Sequence, residues 1–279
     1  GAKSSVLIRV YQADPYRSKE EREKHRQFIS NSYRALSSMP GHPNIVTVRD
    51  FFATEGEDKY VLVTEDVPGQ ALKLHIEKHP LALTIDQKLR IAKDLLQALK
   101  HLEESSVVHR NITPSNILVG TDGRSRLSGF DYARSGTDRS RTIAGEIVDD
   151  LEPAYLPPEL HGEPGAASAA SDMFSVGLVL YELFTGVKPF ATFDEMFSLE
   201  AKFPMKPSEQ APDILPLFDS FIQKLCTFDP ADRPSATDIL NQYLEILASS
   251  EVEASEAASS SEILPPQEKL NFLELPPQT

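Results

Sequence analysis

Cysteine is almost missing from this chain of 279 residues: Cys226 stands alone, so no disulfide can form within the chain, and the composition suits a reducing compartment. Positive charge is also scarce. Against 42 acidic residues there are 28 lysines and arginines, for a formal net charge of −14. A field of that sign works against direct binding of nucleic acid or of anionic membrane, both of which need basic surface. Long hydrophobic runs are lacking too. The longest, Met173 to Phe184, is interrupted by Ser175 and Glu182 and falls short of the about 20 apolar residues that a membrane span needs. No charged-then-apolar signal segment opens the sequence. The expectation is a soluble, cytoplasmic protein with no membrane contact.

What is there is ordinary globular material: 40% of the residues are hydrophobic, enough for one large domain or two associated lobes. Val6 to Tyr11 is short and β-branched and predicts a strand; Val46 to Phe52 and Tyr60 to Thr64 predict two more, joined by a polar loop. Between them, Ser18 to Met39 carries Phe28, Ile29, Tyr33 and Leu36 at helical spacing and ends at Pro40-Gly41. After Val67-Pro68-Gly69 the pattern turns helical. Thr84 and Gln87 have the spacing of a capping box ahead of Leu89, Ala92, Leu95, Leu96, Leu99 and Leu102. Asp122-Gly123 signals a hairpin leading to Arg126-Leu127. Ser135 to Pro158 lacks periodicity and predicts a long loop, a length usually kept for function. Ser171 to Thr185 is apolar on nearly every face, a buried helix that Gly186 stops. Further helical patterns cover Pro212 to Leu225 and Ala236 to Leu247.

From Ala248 the composition turns rich in Ser, Ala and Glu, and Leu-Pro-Pro-Gln occurs at Leu264 to Gln267 and again at Leu275 to Gln278. The chain therefore divides into a strand-rich part with one helix (1–67), a helical part (68–247) and a disordered acidic linker with a proline-containing tail (248–279). The tail reads either as a docking peptide or as linker.

Six segments in order carry a resemblance. His42-Pro43-Asn44-Ile45-Val46, His109-Arg110-Asn111-Ile112-Thr113-Pro114-Ser115-Asn116-Ile117-Leu118, Arg126 to Arg134, Tyr155-Leu156-Pro157-Pro158-Glu159, Asp172 to Gly177 and Asp232-Arg233-Pro234 resemble the landmarks of the eukaryotic-type Ser/Thr protein kinases. The resemblance covers roughly Val6 to Leu247. It implies an α+β, bilobal fold with a small β-rich lobe, a hinge at Glu65 to Gly69 and a larger helical lobe. It also aligns Val6-Leu7-Ile8-Arg9 with the strand that bears the family's phosphate-holding lysine, so the small lobe is expected without its first strands and glycine-rich loop.

Such enzymes work by positioning and electrostatics, through a few residues. At the lysine position stands Arg9, and the helix glutamate that should pair with it falls on Ser32, or on Asn31 if the register slips, neither of which can form the ion pair. The proton-accepting aspartate is Asn111, whose carboxamide accepts no proton. Thr113 replaces a lysine near the transferred phosphate, and Gly129 replaces the magnesium aspartate, leaving Asn116 of the metal pair, with Asp131 as a substitute two positions away. No intact catalytic set or metal site is expected. A nucleotide pocket, if formed, is lined by Arg9, Thr64 (the gatekeeper position), Glu65, Val67, Asn116, Leu118 and Asp131.

The scaffold positions, by contrast, match: His109, Phe130 and Leu36 fall on an apolar spine, Asp172 on the anchor of the catalytic loop, Glu159 and Arg233 on a buried ion pair. Scaffold without chemistry resembles a pseudokinase. That implies a non-enzymatic scaffold or allosteric module acting through protein contacts, with a protein partner or other domains of a longer chain, and no cofactor unless ATP without magnesium. The alternative is an atypical ATP-binding Ser/Thr kinase, or another phosphoryl or nucleotidyl transferase, using Arg9, Asn116 and Asp131. Compact loops resemble bacterial members. Ser135, Thr137, Ser140 and Thr142, among Arg134, Arg139 and Arg141, read as a solvated loop or as sites for phosphorylation by another kinase.

Overall fold

The computed structural model describes residues 5–12, 16, 18–54, 59–78, 83–136, 151–162 and 164–261. Thr137, Ser140, Thr142, Arg139, Arg141 and both Leu-Pro-Pro-Gln copies lie outside the described residues. Two compact units divide the chain, Gly1–Asn241 and Gln242–Thr279.

The β-branched run at the start forms β1 (Val6–Gln12), followed by α1 (Lys19–Ser37), β2 (Val48–Ala53) and β3 (Lys59–Glu65). These strands make one antiparallel sheet in the order β1-β3-β2, with Val6 opposite Glu65 and Gln12 opposite Lys59. Burial alternates along β1 against its hydropathy. Arg9 and Tyr11 are half-buried, whereas Ile8 and Val10 are 57% and 61% exposed. Period-two geometry sends both polar residues to one face, the face that meets α1 and the helical lobe.

The second lobe begins with β4 (Gly69–Ala71), α2 (Leu72–Lys78) and α3 (Ile85–Glu104). The capping box at the start of α3 is made as expected: the Gln87 N–H donates to Thr84 Oγ1 at 3.3 Å and the Thr84 N–H to Gln87 Oε1 at 2.9 Å. Next come β5 (Val107–Val108), β6 (Ile117–Gly120), β7 (Ser125–Leu127) and β8 (Arg134–Ser135). A second sheet has the order β4-β6-β7, and β5 pairs with β8. Gly123, with φ +77°, turns the β6–β7 hairpin.

Five further helices follow before the last: α4 (Pro158–Gly162), α5 (Ala169–Thr185), α6 (Phe193–Ser198), α7 (Pro207–Gln210) and α8 (Leu217–Leu225). α5 is the buried axis, its side chains covered from Ser171 to Phe184, and Gly186 ends it with φ +79°. The α8 pattern reached back to Pro212, but the helix starts only after Pro216, because the two prolines lack N–H donors and sit at a helix entry rather than inside one. α9 (Ala236–Ser261) continues through the segment from Ser249 where composition suggests a linker; Ala and Glu are strong helix formers, and five alanines and glutamates lie between Glu251 and Ala257. Among the described residues no helix is long and apolar enough to cross a membrane. The sheet part and the helical part make an α+β, bilobal arrangement.

Candidate functional site

The loop between β5 and β6 is held from below by α5. Asp172, in the first turn of α5, accepts the backbone N–H of His109 at 2.7 Å and of Arg110 at 2.8 Å. Burial pushes its carboxyl up to about 7, against the pull of those two N–H groups. His109 is fully covered. Its Nδ1 accepts the Asn111 N–H at 3.2 Å, its Nε2 meets the Ser128 carbonyl at 2.9 Å, and its ring meets Phe130 edge-on at 4.5 Å. Those partners require a neutral ring with the proton on Nε2, and burial draws its pKa down to about 4. Leu36 on α1 is also buried, so all three expected spine residues are inside.

The upper side of the loop carries the altered chemistry. Asn116 Nδ2 donates to the Asn111 carbonyl at 2.9 Å, and the Asn116 carbonyl accepts from the Ser128 N–H at 2.8 Å and its Oγ at 3.0 Å. The Asn116 amide thereby lies against Gly129, which has φ +77°. Thr113 is buried beneath the same turn, 5% exposed, and so is not a stand-in for a mobile cation.

Across the cleft, four side chains from three elements converge. Asp131 Oδ1 accepts from Ser32 Oγ at 2.6 Å and from the Tyr11 hydroxyl at 3.1 Å, while Asp131 Oδ2 lies 3.4 Å from Arg9 Nη1. Arg9 and Tyr11 come from the inward face of β1, Ser32 from α1, and Asp131 from the turn that follows Gly129. Burial, with the Asp131 charge next, pushes the Tyr11 hydroxyl up to about 12, so it stays a donor. Arg9 Nε is buried and has no hydrogen-bond partner among the described residues. Asp131, expected as a substitute metal ligand, thus faces three donors. Among the described residues no three His, Cys, Asp or Glu side chains group as a metal site.

The other pocket candidates are spread along the hinge side. Thr64 is buried in β3 opposite Leu7, and Glu65 beside it accepts the Thr47 N–H at 2.9 Å. Val67 lies in the hinge and Leu118 in β6, opposite Ala71. The Glu159–Arg233 pair forms as expected, bidentate at 2.8 and 2.9 Å. Residue typing missed Tyr11. The signal was available: it sits two residues beyond Arg9 in a strand and must share its face.

Curated relatives give the family's activity. Serine/threonine-protein kinase 36 of Pongo abelii is 35% identical over 217 residues, 76% of this chain and 16% of that protein. Serine/threonine-protein kinase TIO of Arabidopsis thaliana is 30% identical over 195 residues, 69% of this chain and 14% of that protein. Serine/threonine-protein kinase PrkC of Bacillus subtilis is 32% identical over 166 residues, 59% of this chain and 25% of that protein. The chain therefore spans a quarter or less of these relatives' lengths, and they come from animals, plants and bacteria alike.

These names overturn the reading of a non-enzymatic scaffold without a cofactor. That reading weighed missing chemical groups one at a time; relatives at this identity are named kinases, a class of enzyme that uses ATP with magnesium. A family model described as the protein kinase domain matches residues 13–244, and the chain belongs to that family.

Proposed function

We propose that this chain is an atypical serine/threonine protein kinase domain that transfers the terminal phosphoryl group of ATP slowly, relying on positioning and charge. One observation carries the reading: Arg9, at the family's phosphate-holding position, is held at the cleft by Asp131, 3.4 Å away, with its side chain 30% exposed. A guanidinium held at the cleft on a side chain that solvent still reaches offers a phosphate oxygen charge-assisted hydrogen bonds. The residues present fit the nucleotide in that respect.

Magnesium fits more sparely. It keeps several waters and leans on nucleotide phosphates, so one or two protein oxygens suffice. Asn116 would supply its amide oxygen, since its nitrogen is committed to the Asn111 carbonyl. When bound, the metal supplies charge neutralisation at the phosphates. Asn111 orients a substrate hydroxyl by hydrogen bonding but takes no proton. The transition state of phosphoryl transfer is loose and asks little covalent chemistry of the protein. Loss of the general base slows such a reaction by roughly 10²–10⁴-fold rather than abolishing it.

That the relatives are several times longer supports other domains of a larger chain as partners, and a single, buried cysteine suits a cytoplasmic site of action. The test is transfer of label from γ-labelled ATP with magnesium chloride onto a Ser/Thr-rich protein by the full chain. Slow labelling of Ser or Thr that disappears in Arg9→Ala is expected. Labelling no greater than in Arg9→Ala would overturn the reading.

A further inference from the structure

The positively charged residue of β1 needs a carboxylate to hold it toward the cleft, and α1 offers only Ser32 at the place that faces it. Asp131 approaches that same place from the opposite side. Its two oxygens divide the work: Oδ2 faces Arg9 Nη1 at 3.4 Å, and Oδ1 accepts from Ser32 at 2.6 Å and from Tyr11 at 3.1 Å. Arg9 and Asp131 are 30% and 21% exposed at the side chain, so solvent screens this pair only in part. The three donors come from two elements that Asp131 does not belong to, so one carboxylate ties β1, α1 and the turn after Gly129 together.

We propose that Asp131 is the positioning residue for Arg9, supplying from the turn after β7 the carboxylate that α1 lacks at Ser32, and that the Arg9–Asp131–Ser32 bridge sets the affinity of the cleft for nucleoside triphosphate. The inference rests on the kinase reading for its phosphate ligand, but the bridge itself does not. Two sides of the guanidinium have different duties. Nη1 is turned to Asp131, and the part of the side chain that solvent reaches remains for an anion. Without Asp131 the Arg9 side chain, on a long flexible stem, loses the contact that fixes its rotamer, and ordering it again costs part of the binding free energy. The bridge also latches α1: Ser32 bonds the carboxylate one helical turn before Leu36, on the same face.

Two measurements on the full chain test this. The first needs no nucleotide: thermal unfolding of Arg9→Ala, Asp131→Ala and the double variant. Coupled residues give losses that fail to add, so the double variant should melt near the lower single variant. Simple additivity would overturn the bridge. The second titrates a fluorescent ATP analogue with magnesium chloride. Asp131→Asn should weaken binding about tenfold, the scale of one charge-assisted hydrogen bond. Ser32→Glu placed in the Asp131→Ala background, which returns a carboxylate from α1, should recover affinity. A purely structural Asp131 would give neither the affinity loss at temperatures where the variant is folded nor the rescue, and that result overturns the positioning role. If the unaltered chain binds no analogue, the kinase reading and the phosphate role fall together, and the unfolding cycle still decides the bridge.

Discussion

Gly129 and Asn116 share one space: a Cβ on Gly129 would lie 2.3 Å from Asn116 Oδ1 and 2.4 Å from its Cγ. The missing aspartate is therefore more than a substituted letter. The asparagine amide, fixed by its bond to the Asn111 carbonyl, stands where the aspartate side chain would leave the backbone.

Returning the family's aspartate should consequently harm the fold. Gly129 has φ +77°, where a side chain strains the backbone, and the new Cβ must displace Asn116. Gly129→Asp is expected to lose about 1–3 kcal/mol, the usual scale for such strain. A urea unfolding midpoint equal to that of the unaltered chain would contradict this.

Asn111→Asp is the reversion that should succeed. Asn111 keeps its backbone contacts through its N–H and carbonyl, neither of which depends on the side chain. A carboxylate at this place restores a proton acceptor, and the labelling rate with ATP and magnesium should rise by roughly 10²-fold or more. An unchanged rate in a folded variant would mean that proton acceptance does not limit transfer here.

The elements were legible where a local rule decides them. The Thr84–Gln87 box, the Asp122-Gly123 hairpin and the Gly186 stop each follow from a few neighbouring residues, and all three form. Ser32 was found by counting helical turns back from Leu36, and it does face the cleft cluster. The partner of Arg9 was not legible, because Asp131 lies 122 residues away and only the assembled lobes bring them together. Nor does a residue type reveal that Asn116 fills the place beside Gly129. Activity was misread for a related reason: the altered positions were counted as losses, while what replaces them spatially is a tertiary property.

Acid should weaken the fold through His109. Its folded pKa is about 4 and its ordinary value 6.5, so below 6.5 the unfolded chain takes up a proton that the folded chain refuses. Stability from this residue is complete above 6.5 and is lost as pH falls toward 4, by about 2 kcal/mol between pH 7 and pH 5. Asp172 opposes it. Burial lifts its carboxyl to about 7, so the folded state holds that proton at a higher pH than the unfolded state does, and acidification favours folding there. His109→Gln removes the first effect and leaves the second. The two effects are of similar size and opposite sign, so urea midpoints at pH 7 and pH 5 should move toward acid stabilisation in the variant relative to the unaltered chain; the same pH dependence in both would assign the His109 effect elsewhere.

Among ion pairs, burial decides which one matters. Arg233 is completely covered at its side chain and Glu159 is 13% exposed. The guanidinium also donates to the carbonyls of Thr227, Ala170 and Phe228 and lies over the Phe174 ring at 4.7 Å. Removing one partner strands a buried charge, so Glu159→Gln or Arg233→Met should cost about 3–5 kcal/mol. Lys202 and Glu200 are nearly as close, at 3.1 Å, but 75% and 68% exposed, and Lys202→Met should cost below about 1 kcal/mol. Equal costs in thermal unfolding would show that distance rather than burial sets the ranking.

The last prediction concerns the helix packing that carries the whole loop. Gly177 sits inside α5, where alanine would ordinarily be favoured by about 1 kcal/mol on helix propensity. Its absent side chain admits α8: a Cβ there would lie 2.4 Å from Cys226 Sγ and 2.9 Å from Leu225 Cβ. Both residues are completely buried, so neither can swing to solvent. Overpacking of this kind costs about 1–3 kcal/mol and should outweigh the propensity gain. Gly177→Ala is expected to lower the melting temperature, and Cys226→Ala in the same chain, which removes the nearest atom, should recover part of the loss. Asp172, five residues earlier on α5, holds the His109–Arg110 backbone, so the same variant should also reduce ATP-dependent labelling beyond its fall in stability. A stabilised Gly177→Ala would mean that α8 yields, and that the spacing of the two helices is not what places the loop.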